Sequence, residues 1–423
     1  MGFDGAILIG GMCLFMLLGV PIAVSMGMAA VLALLLEGEI NLIVLPQKLF
    51  VGSDSFPLMA IIFFMVAGEL MLQGGISKRL VSLAKKFLSE LRGSLTLITF
   101  VTCAFFGALS GSALATTAAI GSVMYPEMLK DDAYEKDFAL SVQAVGGTLG
   151  TMIPPSIPLV LYGALANTSV GDLFIYIIIP GILICFLYCI TGYFVIVKRG
   201  MAKKHNVVKE ENSSKAISES VWALLTPVII LGGIYSGIFS PTESAAVACG
   251  YAFFVGMFIY KELTLRTLFK AVLNATIASA AIMFLITCAT FFGWVLTIQG
   301  FPQRITTLLT DFIHSKMMFL LFINIVFLIA GMFVDISTTL LLIIPLVLPI
   351  ALKLDVNLTH LGIIAGINLS LGTITPPFGG CLFVASGLDK TVKLESIYRE
   401  VMPFVIAGIV GIFIITYVPM LWL

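Results

Sequence analysis

Long apolar runs alternate with short polar ones along almost the whole chain, and most runs approach membrane-crossing length. A helix that crosses a hydrocarbon core needs about 17–25 largely apolar residues. Such runs lie at 3–19, 21–36, 56–74, 94–127, 138–166 and 173–198. After a polar stretch they resume at 221–238, 241–260, 273–298, 318–350, 357–386 and 400–421. The polar stretch, 199–220, holds Arg199, Lys203, Lys204, His205, Lys209, Glu210 and Glu211 and reads as a cytoplasmic linker. The run at 94–127 is too long for one crossing and too short for two with a turn, which predicts a re-entrant hairpin. The run at 318–350 is one residue shorter and has the same reading.

Lysine and arginine collect at 76–92 (Lys78, Arg79, Lys85, Lys86, Arg92), at 198–215 and at 261–270 (Lys261, Arg266, Lys270). The positive-inside rule places all three in the cytoplasm. Counting crossings from there puts 130–137 and 387–399 on the same side and 299–317 outside. Both termini then lie outside, and the two hairpins enter from opposite faces. Asp4 is the only charge before Glu37, so no signal peptide is expected. The stretch 76–92 is amphipathic, with Ile76, Leu80, Leu83, Ala84 and Phe87 on one face, as suits a helix lying along the interface.

Composition excludes other classes. Hydrophobic residues make up 60% and charged residues 11%, where a soluble domain carries about 25% charge. A mean hydropathy of +1.12 rules out a soluble enzyme and a disordered scaffold. With 23 basic and 23 acidic residues, no nucleic-acid partner is expected. The seven cysteines fall inside apolar runs without a CxxC pair and read as small buried hydrophobes.

The two halves repeat. Pro126 and Lys130 match Pro349 and Lys353; LGTMIPPS from Leu149 matches LGTITPPF from Leu371; Ile175-Tyr176 matches Ile397-Tyr398, and Pro21 matches Pro241. The separations all lie between 220 and 223 residues. Each half then holds five spans and one hairpin, and an odd number of crossings inverts the second half. The expected division is 1–198 as the first repeat, 199–220 as linker and 221–423 as the second repeat. Residues 94–166 and 318–386 hold the hairpins and broken helices and form the transport domain; the remaining spans form the scaffold.

Irregular chain at membrane depth is tolerated only around a cavity. Here it falls in matched places: around Gly107–Thr117 and Gly331–Thr339 in mid-hairpin, and around Gly146–Ser156 and Asn368–Phe378 in mid-span. A Pro-Pro pair frees carbonyls one turn earlier, and carbonyls with hydroxyls make an oxygen cage suited to Na⁺. The half-helix N-termini suit a carboxylate. Thr116, Thr117, Thr151, Ser156, Thr339, Asn368 and Thr373 are the candidates for solute contact. Asp335, matched to Ser112, is the acid deepest in a hydrophobic segment and marks an ion path. Glu69 and Glu243 lie nearer segment ends, where solvation or a scaffold bond is the commoner role. His205, His314 and His360 fall in loops or at span ends, Asp131-Asp132 in a charged loop, and no catalytic pair occurs inside a span.

Several strings together resemble the large membrane subunit of tripartite ATP-independent periplasmic (TRAP) transporters: SDSFPLMAI from Ser53, AGEL from Ala67, SGSALATTAAIGS from Ser110, IPPSIP from Ile153, SPTESAAV from Ser240 and TPPFG from Thr375. The resemblance covers essentially the whole chain. It implies a sodium-driven elevator importer of the bacterial inner membrane, not an enzyme, moving a carboxylate such as a C4-dicarboxylate, sialic acid or another sugar acid. It implies two partners: a small four-helix membrane subunit and a periplasmic binding protein that delivers the solute. Carried over by position, one Na⁺ site falls at Ser110, Ser112, Gly150, Ile153 and Pro155, and the second at Gly331, Asp335, Gly372, Thr375 and Phe378. A self-sufficient ion-coupled carrier is the alternative.

Overall fold

The computed structural model describes residues 4–37, 43–88, 93–130, 134–201, 213–310, 313 and 315–418, and its regular elements are all helical. The first half runs α1 (Asp4–Leu17), α2 (Ile22–Glu37), α3 (Val44–Ser53), α4 (Phe56–Gln73), α5 (Ile76–Leu88), α6 (Ser94–Ser110), α7 (Ala113–Met128), α8 (Lys136–Met152), α9 (Ile157–Ala166), α10 (Val170–Tyr176) and α11 (Ile178–Arg199). The second half runs α12 (Ser213–Tyr235), α13 (Pro241–Phe254), a π-helical turn (Val255–Ile259), α14 (Leu265–Ile298), α15 (Phe301–Thr310), α16 (Lys316–Phe333), α17 (Ile336–Lys353), α18 (Leu358–Gly372), α19 (Gly380–Ser386) and α20 (Leu394–Tyr417).

Seven helical segments among the described residues are long and apolar enough to cross a membrane, eight if the bent pair α8–α9 is one span. Their outer faces carry exposed Ile182, Phe186, Phe194, Ile277 and Phe284, a surface that only lipid or another apolar partner satisfies. Helices α6–α7 and α16–α17 are the expected hairpins, each turned within two residues. Helices α8 and α9 meet at a 41° bend, and α18–α19 break at the matching Pro376-Pro377.

Side-chain bonds fix the relative direction of the repeats. Lys136, at the start of α8, pairs with Asp389 just beyond α19 at 3.4 Å. The hydroxyl of Tyr162, near the end of α9, donates to Leu358 O at the start of α18 at 2.6 Å. The two broken helices therefore run antiparallel. The base of the first hairpin shares the first end, where Tyr125 OH donates to Asp389 at 2.8 Å. The base of the second shares the other, where Lys316 Nζ donates to Asp355 O at 2.6 Å. Pairs Arg79–Glu262 (2.6 Å), Lys85–Glu127 (2.8 Å) and Arg199–Glu400 (2.7 Å) each join a segment assigned to the cytoplasm to another such segment or to the end of a run beside one. The hairpins thus point at each other from opposite ends of an inverted repeat.

The packing departs from the expected division in one respect. Spans 173–198 and 400–421 are grouped with the scaffold on sequence, yet α11 and α20 pack chiefly on each other and on α6, α8 and α18. Phe100, Tyr188 and Phe404, from α6, α11 and α20, form an aromatic triangle with centroids 5.7–6.2 Å apart. Gly192 and Gly408 let these helices approach Thr96 and Leu371 closely. Helices α1–α4, α13 and α14 pack chiefly among themselves, with α4 also touching α6 and α9 and α14 touching α17.

Smaller differences have simple causes. Helices α3 and α15 were not expected, being ten residues each and too short to cross. Helix α5 buries Ile76, Leu80, Leu83 and Ala84 against α6 and α12, but Phe87, on the expected face, is 71% exposed because the contact ends a turn earlier. Cys13 is exposed on the outer face of α1 rather than buried. Glu243 closes a capping box with Ser240 at the start of α13, which accounts for the SPTE string. His360 is buried and bonds Ile415 O at 3.0 Å. Asp131, Asp132, His205 and His314 lie outside the described residues.

Candidate functional site

The hairpin tips and broken helices meet around a cavity of about 330 Å³. Gly111 and Ser112 reach it from the first tip, Val334 and Asp335 from the second, and Thr151 and Thr373 from the ends of α8 and α18. Met65 of α4 and Ile282 of α14 close it from the other group of helices.

Each tip is built the same way. Ser112 caps α7, accepting from Ala115 N–H at 3.4 Å, and Asp335 caps α17, accepting from Thr338 N–H at 3.1 Å. The Thr338 hydroxyl donates to the other Asp335 oxygen. The residue pair that the repeat aligns is thus a pair of N-caps, one neutral and one charged. Asp335 is exposed at the cavity mouth beside Phe333 and Phe378. A carboxylate held in an otherwise apolar segment requires water or a cation there.

Around the first tip, oxygens converge. Ser110 Oγ lies 2.9 Å from Thr116 Oγ1, which donates to Ser112 O at 2.8 Å. Ile157 N–H donates to Gly111 O at 3.2 Å, tying the tip to α9. Gly111 has a positive φ of 61° and leaves no room for a β-carbon, which would sit 2.9 Å from Pro155 O. Gly150 faces Ser112 O in the same way at 2.6 Å. Ser110, Ser112, Gly150 and Pro155 are therefore brought together, with Thr116 joining them, while Ile153 sits at the start of the break. This all-oxygen set has the chemistry a hard cation takes.

Around the second tip, Gly331 and Gly372 touch backbone to backbone, and Gly331, Asp335 and Phe378 border the cavity. Thr375 is buried and donates to Leu371 O at 2.8 Å, without bordering the cavity. Phe378 is 56% exposed and stacks with Phe383, so its side chain belongs to the mouth.

Of the candidates for solute contact, Thr151 and Thr373 line the cavity. The others serve elsewhere. Thr117 and Thr339 donate to Ala113 O and Asp335 O within their own helices. Asn368 bonds Asn324 at 2.7 Å and joins α18 to α16. Ser156 is fully buried beneath the first tip, and its hydroxyl has no protein partner. Phe333 and Ser337 border the cavity from within the irregular stretch Gly331–Thr339, though neither is among the named contact candidates. Met65 and Ile282 also border it and, as ordinary residues of apolar runs, carry no sequence signal.

A family profile described as tripartite ATP-independent periplasmic transporter, DctM component, matches residues 9–421. The isethionate TRAP transporter permease protein DctMQ of Oleidesulfovibrio alaskensis is 40% identical over 413 residues, covering 98% of this chain and 65% of that protein. The C4-dicarboxylate TRAP transporter large permease protein DctM of Pseudomonas aeruginosa is 40% identical over 395 residues, covering 93% and 92%. The sialic acid TRAP transporter large permease protein SiaM of Vibrio cholerae is 34% identical over 400 residues, covering 93% of each. Among solved structures, the Alcanivorax borkumensis YdaH transporter shares the fold, with a TM-score of 0.66 at 16% identity over 89% of this chain and 88% of that one. With inverted hairpins, broken helices and a family match over nearly its whole length, the chain belongs to the DctM component family of tripartite ATP-independent periplasmic transporters, multi-pass inner-membrane transport proteins rather than enzymes.

Proposed function

We propose that this chain is the translocating subunit of a sodium-coupled importer for an organic acid, working with a small membrane subunit and a periplasmic binding protein that delivers the solute. The observation that carries the reading is the cavity itself, where two opposed hairpin tips and two broken helices converge on one charged side chain, Asp335. Sodium ions are cargo here. The oxygens of Ser110, Ser112, Thr116 and Pro155 suit one ion, and Asp335 with the chain at Gly331 and Gly372 suits the second. Among the described residues no lysine, arginine or histidine borders the cavity, so bound cations and the first-turn N–H groups of α7 and α17 balance the solute's negative charge. This makes coupling a consequence of electrostatics: the acid enters a site that the ions have made positive.

Movement follows from the packing. Helices α6–α9, α11 and α16–α20 form one body that slides past α1–α4, α13 and α14, carrying the cavity across the membrane. Exchanging the conformations of the two inverted halves converts one access state into the other. Reconstitution with both partners tests the function: uptake of a radiolabelled organic acid requires a sodium gradient and the binding protein. Equal uptake by this chain alone points instead to a self-sufficient carrier. Uptake unaffected by sodium refutes the coupling.

A further inference from the structure

Where α8 crosses α18, the cavity floor is made by two buried threonines, Thr151 and Thr373. Each has one hydroxyl proton, and both protons are committed away from the cavity. Thr373 Oγ1 donates to Ser370 O at 2.6 Å. Thr151 Oγ1 lies 2.6 Å from Ser370 Oγ and 3.1 Å from Thr148 O. Ser370 Oγ is itself 2.6 Å from Gly366 O, to which it donates, so its oxygen is free to accept the Thr151 proton. Giving that proton to Thr148 O instead leaves the count unchanged. In either arrangement neither threonine hydroxyl has a proton left to offer the cavity, and toward a solute each can act only as an acceptor.

The repeat does not duplicate this device. Thr148, the counterpart of Ser370, donates to Val145 O within its own helix at 2.7 Å, and Thr373 makes no matching bond to it. Ser370 borders no part of the cavity, yet it holds the Thr151 rotor in place. A floor of acceptors repels acid oxygens and rewards a hydrogen-bond donor.

We propose that the cavity takes an organic acid bearing a hydroxyl group, with the acid toward the hairpin tips and the hydroxyl donating its one proton to Thr151, and that Ser370 is the positioning residue for that contact. The inference rests on the reading above that the cavity holds the transported acid.

The full chain in lipid nanodiscs, at saturating sodium, is titrated calorimetrically with three pairs: acetate and glycolate, propionate and lactate, ethanesulfonate and 2-hydroxyethanesulfonate. The hydroxylated member of a pair is expected to bind about tenfold tighter, the upper end of what one neutral hydrogen bond gives. Ser370→Ala and Thr151→Val reduce that preference to less than about twofold, and Thr151→Ser keeps it. The comparison within wild-type protein requires no variant to fold. Equal affinities within each pair overturn the inference alone, as does a preference that survives both Ser370→Ala and Thr151→Val. A loss of sodium affinity in Thr151→Val that weakens both members equally overturns it too, by making the floor an ion site. Binding of none of the six acids overturns this inference and leaves the proposed function to the uptake experiment above.

Discussion

A β-carbon added to Gly107 would lie 2.7 Å from the Cα of Gly150, and one added to Gly331 would lie 3.2 Å from the Cα of Gly372. Each hairpin therefore meets the broken helix of its own repeat through a glycine pair, one helical turn from the tip. The close approach sets the distance between tip and break, and so the spacing of the oxygens that both supply.

Gly107→Ala is accordingly expected to push the first tip off α8. Overpacking of this kind costs about 1–3 kcal/mol, and the displacement spreads Ser110 and Ser112 away from Gly150 and Pro155. Thermal unfolding in nanodiscs reads the stability loss, and the sodium concentration for half-maximal uptake should rise. A variant with lowered stability and unchanged sodium dependence would separate the glycine contact from the ion site.

Asp335 combines two roles that substitutions can part. Asp335→Asn keeps an N-cap oxygen and removes the charge, so it should preserve stability and abolish sodium-driven uptake. Asp335→Ala loses the cap as well, worth about 1 kcal/mol, and should unfold at lower temperature than Asp335→Asn. Ser112→Ala should impair uptake less sharply, because neighbouring oxygens of the first site remain. Normal uptake by Asp335→Asn would remove the carboxylate from the coupling path.

Much of this architecture is legible in the apolar runs, because spans, hairpins and breaks each leave a length or a Pro-Pro pair behind. The matched LGTxxPP strings locate both breaks, and the charge distribution agrees with every ion pair described at the basic end. What sequence conceals is lateral packing. The helices α11 and α20 look like any apolar spans, and only the closeness of Gly192 to Thr96 and Gly408 to Leu371 reveals their company. The site shows the same limit. Thr117 and Thr151 are both buried threonines near a break, but helix rotation turns the first onto Gly147 and the second into the cavity.

Asp389 gives the basic end a pH dependence. The hydroxyl and N–H of Thr391, then Tyr125 and Lys136, hold its carboxyl well below the ordinary value of 3.8. A carboxylate with a depressed folded pKa contributes stability above its unfolded pKa and loses it as pH falls through the folded one. Thermal stability should therefore decline below about pH 4, and less so in Asp389→Asn, which has no such proton to bind. Identical acid profiles for the two proteins would show that the Tyr125–Asp389–Lys136 contact contributes nothing to holding the first hairpin base against the chain beyond α19.

The proposed division into a moving and a fixed body makes the sharpest mechanical demand. Gly68 of α4 faces the tip of the first hairpin, and a β-carbon there would lie 3.7 Å from Ser110 Cβ, within the span a disulfide bridges. Gly411 of α20 faces Ile184 of α11, whose Cγ1 would lie 3.7 Å from an added β-carbon. On a cysteine-free background, Gly68→Cys with Ser110→Cys joins the two bodies, whereas Gly411→Cys with Ile184→Cys joins two helices of the same body. Because Ser110 belongs to the proposed first ion site, the reduced first pair should transport more slowly than the cysteine-free parent; oxidation should abolish the uptake that remains, while the second pair transports in both states. Should the α11–α20 crosslink also arrest uptake, those helices slide relative to one another and the moving body is smaller than the packing implies. Should the Gly68–Ser110 crosslink form quantitatively and leave uptake intact, the first hairpin does not move against α4, and the solute crosses by some route other than an elevator.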